Sequence, residues 1–150
     1  ATPGHAANHI ALATGDVCLS GDHVMGWSTT VIAQPDGAMA PNLNSLDVLR
    51  ERDDALYLPG HGGEIVEPRK AVAAMKSHRL MREGAVLDRL VKGDRHVSEI
   101  VSALYVGIDP RLAGAAGLSV LAHLEKLAED GKAVADVSTG FGRDAMWRAA

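Results

Sequence analysis

The sequence is poor in aromatic residues, in cysteine and in long apolar runs, and each shortage excludes a class of protein. Aromatic residues make up 3% of the 150 residues, which argues against binding of single-stranded nucleic acid by base stacking. The single cysteine, Cys18, cannot form an internal disulfide, and this is typical of a reducing compartment. No run of about 18 consecutive apolar residues is present, so the sequence predicts no membrane-spanning helix. The first residues lack the basic start and apolar core of a signal peptide, and a cytoplasmic location is expected.

Charge is distributed unevenly along the chain. Residues 1–68 carry two basic and nine acidic side chains, whereas residues 69–150 carry thirteen basic and ten acidic ones. This asymmetry indicates two modules, and we place their bounds at residues 1–67 and 68–150. The small basic excess of the second module does not by itself predict nucleic-acid binding.

Short strands and one helix are predicted in the first module. Alternating or β-branched apolar runs predict strands over residues 9–14, 17–20 and 55–58. Thr29 to Ile32 could form a further strand or a buried loop. Leucines at helical spacing predict a helix over residues 41–53. Strand, helix and strand, with loops at the strand ends, is typical of an α/β fold that bears its chemistry on those loops.

The second module is predicted to be a winged helix. Helices are predicted over residues 68–92, 97–106 and 111–130. Two short strands, around Val134 to Val137 and Met146-Trp147, follow on either side of the turn at residues 139–142. Three helices followed by a hairpin is the order of elements in a winged helix.

Three segments place His or Asp in glycine-containing loops beside predicted strands. They are Thr2-Pro3-Gly4-His5, Ser20-Gly21-Asp22-His23 and Leu58-Pro59-Gly60-His61-Gly62. Glycine lets the backbone turn tightly and approach a bound ion, and imidazole and carboxylate are good zinc ligands. A carboxylate can also bridge two cations, and zinc-bound water ionises near neutral pH. Each segment taken alone is also consistent with an ordinary turn, but together they predict a hydrolytic metal site.

In this order, TPGH, SGDH and PGHG resemble the later three motifs of the metallo-β-lactamase fold hydrolases. The stretches GDHVMGWSTTV and RDDALYLPGHGGEI resemble the β-lactamase-like 2 type branch, which carries a C-terminal winged helix. The resemblance runs along essentially the whole chain. It implies an α/β fold, the second half of an αββα metallo-β-lactamase sandwich, followed by a winged-helix domain. It also implies two zinc ions, with His5 as ligand of one, His61 as ligand of the other, and Asp22 as the catalytic bridging carboxylate.

The first motif of that family, His-x-His-x-Asp-His, is absent from the sequence. Two zinc ions need about four ligands each, and only three of the family's ligand positions are matched here. We therefore expect the parent protein, or a complex with the missing N-terminal half of the fold, to be a zinc hydrolase. The chain alone is expected to be inactive and to expose apolar surface that the missing half covers.

Five further residues near these motifs are candidates for the second shell of the metal or for the substrate cleft. His9 could hydrogen-bond a ligand or simply begin a strand, and we favour a supporting role for His23 over ligation. Trp27, Ser28 and Thr29 could line the cleft, although Trp27 could equally belong to the core. Cys18 is expected to be a small buried apolar residue. The histidines of the second module are interpreted as surface or core residues away from the motifs: His78, His96 and His123.

The winged helix could bind nucleic acid, complete the rim of the active site or mediate dimerisation. Its third predicted helix carries more acidic than basic residues, a poor charge for phosphate, so we favour the rim or interface role. The resemblance leaves open esters, thioesters, lactams and phosphodiesters as substrates; a small molecule is expected, and charge does not support RNA. The alternative function is a winged-helix interaction or nucleic-acid-binding module carrying an inert hydrolase remnant, and a homodimer through the exposed sheet face is a further option.

Overall fold

The structure, a computed structural model, describes residues 1–140 and 142–150. Contacts divide the chain into two units, Ala1–Arg79 and Leu80–Ala150, so the boundary falls inside the long helix that spans Pro68–Val91. The domain bounds predicted above were placed at the start of that helix and stay a prediction. None of the described helices combines the length and apolar character needed to cross a bilayer.

The first unit holds a three-stranded sheet and two helices. Its elements are β1 (Leu12–Thr14), β2 (Val17–Gly21), α1 (Met39–Arg50), β3 (Leu56–Pro59) and the first part of α2 (Pro68–Val91). The strand order is β1-β2-β3, with β1 antiparallel and β3 parallel to β2. A parallel pair needs a crossover connection, and α1 lies in the connection between β2 and β3. These elements confirm the predicted strands and helix, with ends shifted by a few residues.

Residues 29–32 form a loop, not a strand. The carbonyl of Thr30 accepts a hydrogen bond from the buried Arg79 guanidinium, and the carbonyl of Val31 accepts one from the His5 ring. Side chains therefore satisfy the backbone groups that a neighbouring strand would otherwise satisfy. The sequence left a strand or a buried loop open for these residues, and the structure shows the loop.

One face of the sheet is buried beneath α1. Cys18 and Tyr57 on this face are each 1% exposed, which confirms the expected burial of the cysteine. The hydroxyl of Tyr57 donates to the carbonyl of Leu49 at 3.0 Å and so ties β3 to the end of α1. The helix buries its own apolar side toward the unit interior through Met39, Leu43, Leu46 and Leu49.

The opposite face of the sheet is apolar and exposed. Leu12 is the register partner of Leu19, and Leu19 is that of Leu58, so the three side chains form a row across all three strands. Their exposed fractions are 57%, 43% and 39%. A row of exposed leucines on a sheet face is typical of a surface that another element covers. This is the exposed apolar surface expected from the sequence.

The second unit has the element order of a winged helix. After the end of α2 come α3 (Val97–Leu104), a 3-10 turn (Pro110–Leu112), α4 (Ala113–Glu129), β4 (Ala133–Asp136) and β5 (Met146–Ala149). The two strands form an antiparallel hairpin. The helix predicted over 111–130 begins instead as a 3-10 turn, because the Asp109 carboxylate accepts from the Arg111 N–H at 2.9 Å. Phe141, within the predicted turn at residues 139–142, lies outside the described residues.

The core of this unit contains one buried ionisable cluster among apolar side chains. His123 is 0% exposed, and its Nδ1 lies 3.7 Å from a carboxylate oxygen of Glu83. The other Glu83 oxygen accepts from the Lys126 ammonium at 3.0 Å. His123 is therefore a core residue, one of the two positions expected for it. The apolar side chains of the core include Val86, Leu90, Val97, Ile100, Val120, Leu121, Leu124, Leu127 and Trp147.

Replacing Leu124 by Ala should destabilise the second unit. Leu124 is 0% exposed within the apolar core, so truncation loses buried contacts and leaves a cavity that costs about 2–5 kcal/mol of unfolding free energy. Val106→Ala is the control, because Val106 is 86% exposed, and should change stability by less than about 0.5 kcal/mol. Urea unfolding followed by circular dichroism measures both. Equal midpoints for the two variants would contradict this account of the core.

Candidate metal centre

Sheet topology brings the three glycine-containing segments to one edge. Strands β2 and β3 are parallel, so the loops that follow them, with Asp22 and His61, leave the sheet at the same end. Strand β1 is antiparallel to β2, and therefore the residues that precede it reach that same end. His5 and His9 lie in this preceding segment. Residues far apart in sequence thus meet at one sheet edge.

The Asp22 carboxylate lies between two imidazoles. Its Oδ2 is 4.0 Å from Nε2 of His5 and 3.5 Å from Nε2 of His61. The side chains are 33% exposed for Asp22, 34% for His5 and 65% for His61, so solvent reaches the cluster. An accessible carboxylate flanked by two imidazole nitrogens is a donor set that suits zinc.

The ring of His5 is held by its other nitrogen. Nδ1 lies 2.7 Å from the carbonyl oxygen of Val31 and 2.9 Å from the hydroxyl of Thr30. Because a carbonyl oxygen only accepts, Nδ1 carries the proton, and Nε2 of the neutral ring keeps its lone pair. A histidine held by its remote N–H has the tautomer and orientation that a metal ligand requires.

His9 supports the backbone at Asp22. Its Nε2 accepts from the Asp22 N–H at 3.3 Å, and its Nδ1 bonds the Thr2 hydroxyl at 2.8 Å. Burial is the main cause that lowers the pKa of His9, and the charge of His5 adds to it. A neutral imidazole is what this arrangement needs, because one nitrogen must accept. The contact agrees with the supporting role considered for His9.

His23 is buried behind His9. It is 2% exposed, and its ring centre lies 5.7 Å from that of His9. Burial lowers the pKa of His23 to about 4, with the neighbouring His9 as the next cause. The ring is therefore neutral at ordinary pH and lies beneath the cluster, away from the exposed edge.

Glycines let the loops approach closely. The Gly60 N–H donates to the Gly21 carbonyl at 2.9 Å, and the Gly26 N–H donates to the His61 carbonyl at 3.0 Å. A Cβ on Gly26 would lie 2.2 Å from the carbonyl oxygen of Gly63, and one on Gly60 would lie 2.5 Å from Oδ1 of Asp22. Side chains at these positions would separate the Asp22 loop from the His61 loop.

A cleft of about 570 Å³ adjoins the cluster. Trp27, Ser28 and Thr29 line it, as considered from the sequence, and Trp27 is 75% exposed, so its placement in the core is wrong. Helix α2 supplies the facing wall. His78 belongs to that wall and is exposed, so it is a surface residue, one of the two positions expected for it. The signal was present in the four-residue spacing of Lys70, Ala74 and His78, which places them on one face of the helix.

The donor set fits part of a metal site. Two ligands of one tetrahedral zinc, each about 2.1 Å from it, lie about 3.4 Å apart, close to the separations around Asp22. Among residues 1–140 and 142–150, however, no group of three or more His, Cys, Asp or Glu is placed to hold an ion by itself. His5, Asp22 and His61 could hold a metal only together with further ligands.

Comparisons with known proteins show what the chain is similar to. Residues 97–150 match the family model described as the β-lactamase-associated winged helix domain. A β-lactamase-like protein 2 homolog of Drosophila melanogaster is 32% identical over 87% of this chain and 45% of its own length. An atrochrysone carboxyl ACP thioesterase of Aspergillus chevalieri is 27% identical over 95% of this chain and 48% of its own.

Solved structures agree with the sequence matches. A metallo-β-lactamase family protein of Thermus thermophilus superposes with a TM-score of 0.80 at 25% identity, covering 99% of this chain and 48% of its own. A β-lactamase domain protein of Burkholderia ambifaria superposes with a TM-score of 0.83 at 24% identity, covering 99% of this chain and 46% of its own. The second likeness concerns the fold alone.

The chain has the C-terminal part of the metallo-β-lactamase fold, an α/β half-sandwich followed by a winged helix, and it is similar to proteins of that superfamily. Within that superfamily it resembles the β-lactamase-like protein 2 branch. It spans about half the length of the curated relatives it matches. These matches do not favour the alternative of an interaction module with an inert remnant.

Replacing Gly26 by Ala should displace the loops around the candidate centre. The added methyl would collide with the backbone of Gly63. The backbone shifts needed to accommodate such a group lower the free energy of unfolding by about 1–3 kcal/mol. Gly63→Ala is the matched control, because a Cβ there meets nothing within 4 Å, and should change stability by less than about 0.5 kcal/mol. Thermal unfolding measures both. A Gly26→Ala protein as stable as its control would rule out this close approach.

Proposed function

We propose that this chain supplies part of the active site of a dinuclear zinc hydrolase, with His5 and His61 as ligands of separate ions and Asp22 bridging them. The observation that carries the proposal is the position of Asp22 Oδ2 between Nε2 of His5 and Nε2 of His61, at 4.0 and 3.5 Å. The held tautomer of His5 supports ligation through Nε2. The similarity to metallo-β-lactamase family proteins supports hydrolysis as the class of reaction.

The residues of the chain orient the reacting groups. When bound, two zinc ions would supply a hydroxide at neutral pH and polarise the carbonyl or phosphoryl oxygen of the substrate. The Asp22 carboxylate would be shared by the two ions, and His9 holds the Asp22 backbone by accepting its N–H. The buried Ser20 hydroxyl, donating to the Val24 carbonyl at 2.8 Å, closes the loop on its other side. The chain thus provides a preorganised carboxylate with an imidazole on either side.

The remaining ligands would come from the first half of the same fold. The exposed row of Leu12, Leu19 and Leu58 supports this, because a second sheet packed against it would complete a sandwich. The chain by itself, with three candidate ligands, is then expected to hydrolyse little. We propose a cytoplasmic location as well, in keeping with the single buried Cys18.

A small molecule with an ester, thioester, lactam or phosphodiester bond is the proposed class of substrate. One relative is named as a thioesterase acting on an acyl carrier protein, which supports the thioester among these. The four bonds share attack by hydroxide on an electrophilic carbon or phosphorus, so the metal site alone does not choose between them.

Replacing Asp22 by Asn in the protein that includes the first half of the fold should remove both zinc and activity. The amide is nearly isosteric but lacks the negative charge. Loss of a supporting contact around a metal costs about 10–100-fold in affinity, and loss of a ligand should cost at least as much. Zinc content after dialysis and turnover of a thioester measure the effect.

Asp36→Asn is the matched control, since Asp36 is an exposed carboxylate of the same unit and lies in a turn. It should retain both zinc and turnover. Unchanged zinc stoichiometry and turnover in Asp22→Asn would overturn the proposed function.

A further inference from the structure

We propose that the cleft beside the candidate metal centre binds an uncharged apolar chain, the aliphatic part of an acyl substrate. The identification of this ligand as a substrate rests on the proposed function, whereas the binding of an apolar chain in the cleft does not depend on it. Of the four bond types left open above, such a cleft favours carboxylic esters and thioesters with an apolar acyl group, and it disfavours a nucleic-acid backbone at this position.

The walls of the cleft are apolar and adaptable. Met25 and Ile65 lie on one side, and Met75 projects from α2 on the other. Methionine is unbranched and polarizable, so it adapts to apolar ligands of irregular shape. Trp27 and Val66 at the cleft are 75% and 67% exposed, large apolar surfaces that an apolar ligand would remove from water. A volume of about 570 Å³ falls within the range of ligand pockets, about 300–1,000 Å³.

The charges of the cleft disfavour an anion. Besides His78, its titratable side chains are Glu64, Glu67 and Lys70, two carboxylates against one ammonium. The Lys70 ammonium is bonded to Glu67 at 2.5 Å, so a phosphate there would have to compete with that carboxylate. Polyanions such as nucleic acids bind through unpaired basic residues. An uncharged chain has no such requirement.

The cleft is continuous with the candidate centre. Gly26, in its wall, donates its N–H to the carbonyl of His61 at 3.0 Å. The Trp27 ring lies against Gly62, the residue after His61, where an added Cβ would be 2.7 Å from Cδ1 of the ring. A chain lying along Trp27 would therefore lead toward the Asp22 and His61 loops, where the scissile carbonyl would have to be.

Titration with a long-chain bromoalkanol tests the binding without metal or turnover. Bromine quenches tryptophan fluorescence on contact, and Trp27 is exposed at the cleft whereas Trp147 is 5% exposed in the other unit. We expect saturable quenching that Trp27→Phe removes. Quenching that rises linearly with probe concentration, as for a random collision, would overturn the proposal.

A pair of variants on α2 gives the matched comparison. Ala74 lines the cleft, and Ala73 is an exposed neighbour outside its lining. Ala74→Glu should weaken bromoalkanol binding by at least about tenfold, because a carboxylate there must be desolvated beside an apolar chain. Ala73→Glu should leave the affinity within about twofold. Ala74→Lys serves as a second variant and should weaken binding as well, since the ligand is uncharged.

Equal affinities for Ala74→Glu and Ala73→Glu would overturn the proposal. So would displacement of the bromoalkanol by a single-stranded oligonucleotide at low salt, which would assign the cleft to nucleic acid. Because the assay needs no zinc, loss of the hydrolase activity proposed above would leave its outcome unaffected. Failure of the bromoalkanol to bind would likewise leave the zinc measurements on Asp22→Asn standing.

Discussion

The parallel pairing of β2 with β3 is the constraint on which the candidate centre depends. It sends the loops of Asp22 and His61 out of the same end of the sheet, and the hydrogen bond from Gly60 to Gly21 extends the pairing beyond the strands. Parallel strands need a long connection, and α1 provides it while covering the face with Tyr57. The contacts of the two imidazoles with Asp22 follow from this arrangement.

Close approach of two loops requires positions without side chains. Gly26 and Gly60 stand where a methyl group would strike backbone or carboxylate atoms. The imidazoles of His9 and His23, packed next to Asp22 and to each other, are neutral because burial lowers the pKa of both rings. A neutral support avoids a second positive charge next to the nitrogens that would bind a cation, and it leaves His9 able to accept the Asp22 N–H.

The proposed function relates the three candidate ligands to the exposed leucine row. A second sheet packed on that row would bury it, and the same layer would carry the other ligands of the proposed centre. The winged-helix unit differs in this respect, because its helices and hairpin enclose their own apolar core. The Glu83 carboxylate in that core lies against His123 and pairs with the Lys126 ammonium, which offsets the cost of its desolvation.

Local sequence patterns predict the order and type of the elements, the glycine-containing loops and the identity of the candidate ligands. These follow from local rules, since turn chemistry, apolar spacing and short motifs act over a few residues. The sequence also predicted burial of Cys18 and an exposed sheet face. The resemblance of three short motifs to those of the metallo-β-lactamase fold hydrolases indicated the family, and such motifs are also local.

Which distant residues meet depends on the tertiary structure. It placed Trp27 at a cleft and not in the core, and it brought His78 from a separate element to the opposite wall. It also showed residues 29–32 to be a loop whose carbonyls bond Arg79 and His5. The physical reason is that such contacts join residues distant in sequence, and their partners are set by strand pairing and helix placement, which no local pattern of residues contains.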